Sequence, residues 1–302
     1  VKKIVVLGSL NIDMVLTTDR LPMIGETIHG NYIHYMMGGK GANQAVAASR
    51  MGIQTSLIGC VGHDTFGEKI IKHLSTENIN LSSVKTVEGV FTGIATVFKT
   101  STDNAIVVIP GANDCCDKQV VDENIDIIKQ ADILLTQLEI PMETVKYALE
   151  KAKEFGIKTI LNPAPYKAIP SQLLKFIDYL TPNQTEFESM VGKTFSSKAE
   201  LENEMVQWSQ KHNVKLIVTR GSEGSSYIEE GKVYNVPCMD VDVVDTTGAG
   251  DTFNGILAYA IAQDKSLEEA VKMAGTGASL SITALGAQTG MPSIEALHNI
   301  CS

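Results

Sequence analysis

No run of this sequence is apolar for anything near the ~20 residues of a membrane-crossing helix, so no such span is expected. The opening stretch Val1-Lys2-Lys3-Ile4-Val5-Val6-Leu7-Gly8 is too short for the apolar centre of a signal peptide and reads as a first strand. Cysteine is scarce and odd in number (Cys60, Cys115, Cys116, Cys238, Cys301), with no C-x-x-C spacing, which excludes a disulfide framework. A cytoplasmic protein is expected. Basic residues are in deficit, 25 Lys and Arg against 35 Asp and Glu for a net charge of −10, so neither nucleic acid nor membrane is expected as a partner. An anionic ligand must then be held by local groups and metal ions. The six histidines (His29, His34, His63, His73, His212, His298) lack metal-ligand spacing and read as surface or packing residues. Two nucleotide fingerprints are missing as well. Gly192-Lys193-Thr194 has Phe187 where a P-loop needs its first glycine, and Gly39-Lys40-Gly41 meets Gln44 where G-x-G-x-x-G needs its third.

What is present is a globular composition, 44% hydrophobic and 20% charged, with a length suited to one or two domains. Strand-like runs at Ile4–Leu7, Thr55–Val61, Ile106–Ile109, Ile133–Leu138, Thr159–Asn162, Tyr179–Thr181 and Leu216–Thr219 alternate with helical patterns. Phe66, Ile70, Ile71 and Leu74 share a helical face behind Asp64 as N-cap, and Pro141 opens a helix carrying Val145, Leu149 and Ala152 that Gly156 closes. Repeated β–α units predict an α/β fold, a mainly parallel sheet covered on both faces, with ligands at the carboxyl ends of its strands. Residues 13–36 and 91–109 break this rhythm with short β-rich pieces and predict a small separate sheet placed as a lid.

Three junctions concentrate candidate chemistry. Asp245-Thr246-Thr247-Gly248-Ala249-Gly250-Asp251 leads into a helix expected over Thr252–Gln263. Its unpaired N–H groups suit an anion, Gly248 and Gly250 let that anion approach, and Asp251 is placed to handle a hydroxyl proton. The competing reading is a helix cap behind a Gly-rich turn. Gly38-Gly39-Lys40-Gly41-Ala42-Asn43-Gln44 passes from glycines into an Ala-rich helix, with Lys40 and Asn43 as donors at its start; a tight turn before a buried helix would read the same way. Gly8-Ser9-Leu10-Asn11-Ile12-Asp13 puts Asn11 and Asp13 on one side after the first strand, suited to vicinal hydroxyls or to a plain Asx turn.

Together with Gln137-Leu138-Glu139-Ile140-Pro141, Leu161-Asn162-Pro163-Ala164-Pro165 and Thr181-Pro182-Asn183-Gln184-Thr185-Glu186, these six motifs stand in the order of the ribokinase-like sugar kinase family, which the chain resembles from Ile4 to about Pro292. The resemblance implies a three-layer α/β/α fold, one unit over residues 1–302 with the small β-sheet as lid, and a homodimer formed through that lid. It implies ATP-dependent phosphorylation of D-ribose at the 5-hydroxyl. Asp251 would be the base, with the Gly248, Ala249, Gly250 and Asp251 backbone as anion hole. Asn11, Asp13, Gly39, Lys40, Gly41, Asn43 and Glu139 would bind sugar. Asn183, Thr219, Arg220, Gly221, Ser222, Glu223, Gly224, Gly250 and Asp251 would bind ATP, and Glu186 would hold Mg²⁺ through water. Asp245, Thr247, Ser281, Ala284 and Gly286 would hold an activating K⁺. Two departures stand out: Gly290 where a serine is common, and Gly275 where an asparagine is common near adenine.

The segment Glu26–Met36 has no Lys or Arg and Phe91–Ile109 has Lys99 alone, which favours a neutral over a phosphorylated sugar. Deoxyribose or another neutral sugar or nucleoside is the alternative substrate. A non-catalytic sensor on the same fold would be expected to lose Asp251 or the glycines, and both are intact.

Overall fold

Alternate residues of the first strand point into two different cores. In the computed structural model, which describes residues 1–100 and 104–301, Ile4 and Val6 join one buried cluster and Val5 and Leu7 the other. A continuous apolar run buried on both sides is the signature of a parallel strand between helical layers. The strands are β1 (Lys3–Leu7), β2 (Asn11–Thr17), β3 (Tyr32–Gly38), β4 (Gln54–Gly62), β5 (Ile79–Asn80), β6 (Val84–Val87) and β7 (Gly93–Lys99). They continue with β8 (Asn104–Ile109), β9 (Ile133–Thr136), β10 (Lys158–Leu161), β11 (Tyr179–Leu180), β12 (Lys215–Thr219), β13 (Ser225–Glu229) and β14 (Lys232–Val236).

The large sheet runs β14-β13-β12-β11-β10-β9-β1-β4-β5, with β6 pairing β4. It is parallel from β12 to β5 and ends in the antiparallel pairs β12–β13 and β13–β14. One face carries the helices Lys40–Ser49, Ala249–Ala262 and Leu267–Ser281, packed through Ala45, Val46, Phe253, Ile256, Leu257 and Val271. The other carries Met142–Glu154, Gln184–Val191 and Lys198–His212, packed through Val145, Leu149, Phe187, Leu201 and Met205. The fold is therefore the three-layer α/β/α arrangement expected. Asp64 caps its helix as read from the sequence, accepting from Gly67 N at 2.8 Å.

The Ile106–Ile109 run lies in the small sheet, ordered β3-β2-β7-β8, as expected for residues 91–109. The hairpin β13–β14 and the short strands β5 and β6 were not expected from the sequence. The helix expected from Thr252 begins at Ala249 with Gly248 as N-cap, so Gly250 and Asp251 lie inside its first turn. The small sheet draws on Asn11–Thr17, Tyr32–Gly38, Gly93–Lys99 and Asn104–Ile109, while 101–103 of the expected lid segment lie outside the described residues. Among the described residues no helix is long and apolar enough to cross a membrane.

One contact positions everything that follows. A Cβ at Gly255 would lie 2.5 Å from the Gln44 carbonyl oxygen and 2.6 Å from Ala47 Cβ. Glycine there lets the Ala249–Ala262 helix settle against Lys40–Ser49, one turn below Asp251.

Candidate active site

The expected site residues come together at the carboxyl ends of the parallel strands. Gly8 follows β1, Gln137 to Glu139 follow β9, Asn162 follows β10, Thr181 follows β11 and Arg220 follows β12. The turn into the Lys40–Ser49 helix closes over this edge. A Cβ at Gly39 would come within 2.7 Å of Asn11 N, and one at Gly41 within 2.5 Å of the Gly8 carbonyl carbon. These glycines bring Lys40 and Asn43 beside Asn11 and Asp13 by close backbone approach.

Glu139 Oε2 accepts from Ser9 Oγ at 2.5 Å and from Lys40 N at 3.1 Å, tying β9 to the start of the helix. Asn11 Oδ1 accepts from Asn113 Nδ2 at 2.7 Å, and Asn113 Oδ1 in turn accepts from Leu10 N at 2.9 Å. Asp13 lies against Gly38, where any side chain would overlap its carboxylate. Burial, then the charges of Glu139 and Asp251, push Asp13 up to about 7 against a smaller opposing pull from Lys40. Burial disfavours the Lys40 ammonium, yet Asp251, Glu139, Glu186 and Asp13 outweigh it and raise its pKa. One cation thus serves four carboxylates, a local excess of negative charge.

Asp251 is 6% exposed and does not cap its own helix, whose N-cap Gly248 takes a left-handed φ of 79°. Its carboxylate accepts from Asn43 Nδ2 at 2.9 Å through Oδ2 and from Gln44 Nε2 at 3.0 Å through Oδ1. The helix-cap reading of this residue is thereby removed. Around it lies a buried amide network that the sequence reading did not assign. Gln44 Nε2 also donates to Asn162 Oδ1 at 3.1 Å, and Gln44 Oε1 accepts from Gln137 Nε2 at 2.7 Å. Asn43 Oδ1 accepts from Gln288 Nε2 at 2.8 Å, and Gln288 Oε1 lies 2.8 Å from His73 Nε2. His73, read as a surface or packing residue, is therefore part of this network. A motif count could not have found His73, since it stands alone in a helix; the amides Gln44, Gln137 and Asn162 were visible inside the quoted motifs.

Farther along the edge, Asn183 and Glu186 form a capping box at the head of the Gln184–Val191 helix, each accepting from the other's backbone N–H at 2.8 Å. Burial raises the Glu186 pKa, helped by Asp251 and opposed by Asn183 N–H and Lys40. Thr219 bridges to Asn183 in parallel fashion, joining the cap to the loop Arg220–Gly224. In that loop the Arg220 guanidinium turns inward, donating to Glu223 Oε2 at 2.9 Å and to Asn235 Oδ1 at 3.2 Å. Gly221 and Ser222 are exposed at the rim, Gly224 is packed against the Val236–Cys238 backbone, and Gly275 faces open space.

Three of the five residues expected to hold a cation, Asp245, Thr247 and Gly286, are joined by hydrogen bonds. Asp245 Oδ1 accepts from Thr247 N and Oγ1 at 3.0 and 2.7 Å, and Oδ2 accepts from Gly286 N at 2.9 Å. Burial would raise the Asp245 pKa, but these bonds hold it below the usual carboxylate value. Ser281 ends the Leu267–Ser281 helix beside this loop, and a Cβ at Gly290 would overlap its carbonyl oxygen. Gly290 thus makes room for backbone packing where a serine hydroxyl has none.

The chain is similar to known proteins over its whole length. The chain is 36% identical over 301 residues to a ribokinase of Bacillus subtilis, covering 100% of both chains. It is 33% identical to a deoxyribokinase of Salmonella typhi, covering 99% of this chain and 98% of that one. It superimposes with a TM-score of 0.93 on an Arabidopsis thaliana ribokinase solved with ribose and ATP, at 33% identity, covering 99% of this chain and 98% of that one. Residues 1–294 match the model of the pfkB family of carbohydrate kinases, and the chain belongs to that family.

Proposed function

We propose that this sugar kinase transfers the γ-phosphoryl group of ATP to the 5-hydroxyl of D-ribose, giving D-ribose 5-phosphate and ADP. The observation that carries the reading is Asp251: a nearly buried carboxylate held by two side-chain amides in the first turn of a helix whose N-cap is Gly248. In the proposed step Asp251 takes the hydroxyl proton as the 5-oxygen bonds to phosphorus and the bond to ADP breaks. The N–H groups of Gly248, Ala249, Gly250 and Asp251 stabilise charge on the transferring group, and a Cβ at Gly250 would meet nothing within 4 Å, so the approach is open. Asn11, Asp13, Gly39, Lys40, Gly41, Asn43 and Glu139 hold the sugar in this reading. The Thr219–Gly224 loop and Asn183 hold nucleotide in this reading, with Arg220 shaping the loop through its bonds to Glu223, Asn235 and the Gly224 carbonyl oxygen.

A divalent ion accompanies ATP. We assign Mg²⁺ to the phosphates and water with Glu186 as outer partner, supported by the place of Glu186 within reach of the charges of Lys40 and Asp251. When bound it neutralises phosphate charge. We assign an activating K⁺ to the oxygens of Asp245, Thr247, Ser281, Ala284 and Gly286, supported by the gathering of Asp245, Thr247 and Gly286. We treat residues 1–302 as one unit with the small sheet as lid, working in the cytoplasm as a homodimer. What supports the dimer is strand β8, where Ile106, Val107, Val108 and Ile109 are 57%, 53%, 48% and 44% exposed, apolar on both faces.

The deoxyribokinase likeness supplies the second reading, 2-deoxyribose as substrate. Coupled measurement of ADP release from Mg-ATP with D-ribose, 2-deoxyribose, fructose and adenosine tests both. The ribose reading requires the highest kcat/KM with D-ribose; a preference for 2-deoxyribose replaces it with the alternative, and sugar binding without ADP release removes the kinase assignment.

A further inference from the structure

We infer that His73 and Gln288 are positioning residues for the reaction, setting the direction of the hydrogen bonds that reach Asp251. The inference rests on reading Asp251 as the base. A carboxylate that is to receive a proton offers acceptors, so Asn43 must turn Nδ2 toward it, as found at 2.9 Å. The Asn43 oxygen then faces Gln288, which must present Nε2, found at 2.8 Å. That leaves Gln288 Oε1 toward the imidazole 2.8 Å away, and an amide oxygen donates nothing. His73 must therefore carry its proton on Nε2. Reversing any link sets acceptor against acceptor or donor against donor somewhere in the row, so the half-buried histidine at the end of the Thr65–Leu74 helix and the nearly buried acid determine each other's orientation.

The second amide branch has its own anchor, since Gln44 Nε2 also donates to Asn162 Oδ1 and Asn162 Nδ2 donates to the Thr181 carbonyl oxygen at 3.0 Å. It runs from Asp251 through Gln44 to Gln137, whose Oε1 is buried and has no hydrogen-bond partner. The Gln288 backbone is fixed independently of its side chain. Arg50 Nη1 donates to the carbonyls of Gln288 and Met291 at 2.7 and 2.8 Å, and Arg50 is itself paired with Glu77 at 2.7 Å. Changes to the two side chains can therefore alter polarity while the loop stays in place.

Four variants and one spectrum test this. His73→Leu removes the donor, and kcat with D-ribose should fall between roughly tenfold and ~10²-fold, the scale of small misplacements of reacting groups, with KM for ribose within about twofold. His73→Gln restores an N–H and should return most of the rate. Gln288→Glu still accepts from His73 but offers Asn43 no donor, so it should lose more kcat than His73→Leu, whereas Gln288→Met should resemble His73→Leu. Melting temperatures identify the folded variants. In the wild-type apo protein, ¹⁵N chemical shifts of neutral His73 should report the Nε2–H tautomer. An Nδ1–H tautomer, equal losses in His73→Gln and His73→Leu, or unchanged kcat in folded Gln288→Glu would overturn the inference. If the wild type releases no ADP with any sugar, the base reading falls, and the tautomer still decides the polarity of the row.

Discussion

Asn43 Nδ2 lies 2.9 Å from Asp251 Oδ2, joining the starts of two helices across 208 positions of sequence. Gln44 Nε2 stands on the other oxygen, so Asp251 faces two N–H donors at once. In Asp251→Asn the new NH₂ meets one of these donors and one pairing is lost. Turnover should drop by roughly 10²- to 10⁴-fold, the range for a missing general base, while ribose affinity changes by a few-fold at most. Steady-state kinetics beside calorimetric titration with ribose check this; near-wild-type kcat removes Asp251 from the mechanism.

Asp13 sets a pH dependence. Burial and the charges of Glu139 and Asp251 push its carboxyl from the usual 3.8 up to about 7, so the folded protein holds the extra proton between those values. The stability this confers is complete below about 3.8 and is lost as pH rises through about 7. Asp13→Asn should flatten that dependence and raise the apo melting temperature at pH 8, while weakening ribose binding. Thermal scans from pH 5 to 8 with and without ribose test it; an unchanged slope in the variant assigns the dependence to another group.

Gly290 tests how the loop after the Leu267–Ser281 helix is packed. Gly290→Ser places a side chain against the Ser281 carbonyl oxygen and should cost about 1–3 kcal/mol of stability, as overpacking typically does. The proposed activation by K⁺ should weaken with it, because Ser281 moves. A variant as stable as the wild type with stronger K⁺ activation would show that the serine hydroxyl is accommodated after all.

Val107 lies on an edge strand whose neighbours are apolar and exposed. Val107→Glu should yield a monomer by light scattering, with a higher KM for ribose, since the lid loses its cover. A wild-type chain that is monomeric at assay concentration contradicts the proposed dimer directly.

The layered fold was legible because burial on both sides leaves unbroken apolar runs, as in Ile4–Leu7 and Ile133–Leu135. The short strands β5 and β6 carry two and four residues, too few for a periodic pattern. Helix onset at Ala249 was misjudged by three residues because Gly250 depresses helix propensity, while the N-cap at Gly248 decides the start. Asn11, Asp13, Asn43 and Asp251 could be read from motifs, since each lies beside a glycine turn. Gln288, His73 and Asn113 could not, because they reach the site from segments whose approach is settled by tertiary packing alone.

The Gly255 contact acts as a gauge. Distance between two helices there is set by bare backbone, and the placement of the acid one turn above inherits that distance. Engineering that thickens this seam, even by a methyl group chosen to improve helix propensity, would lift Asp251 from its amide supports and exchange catalysis for rigidity.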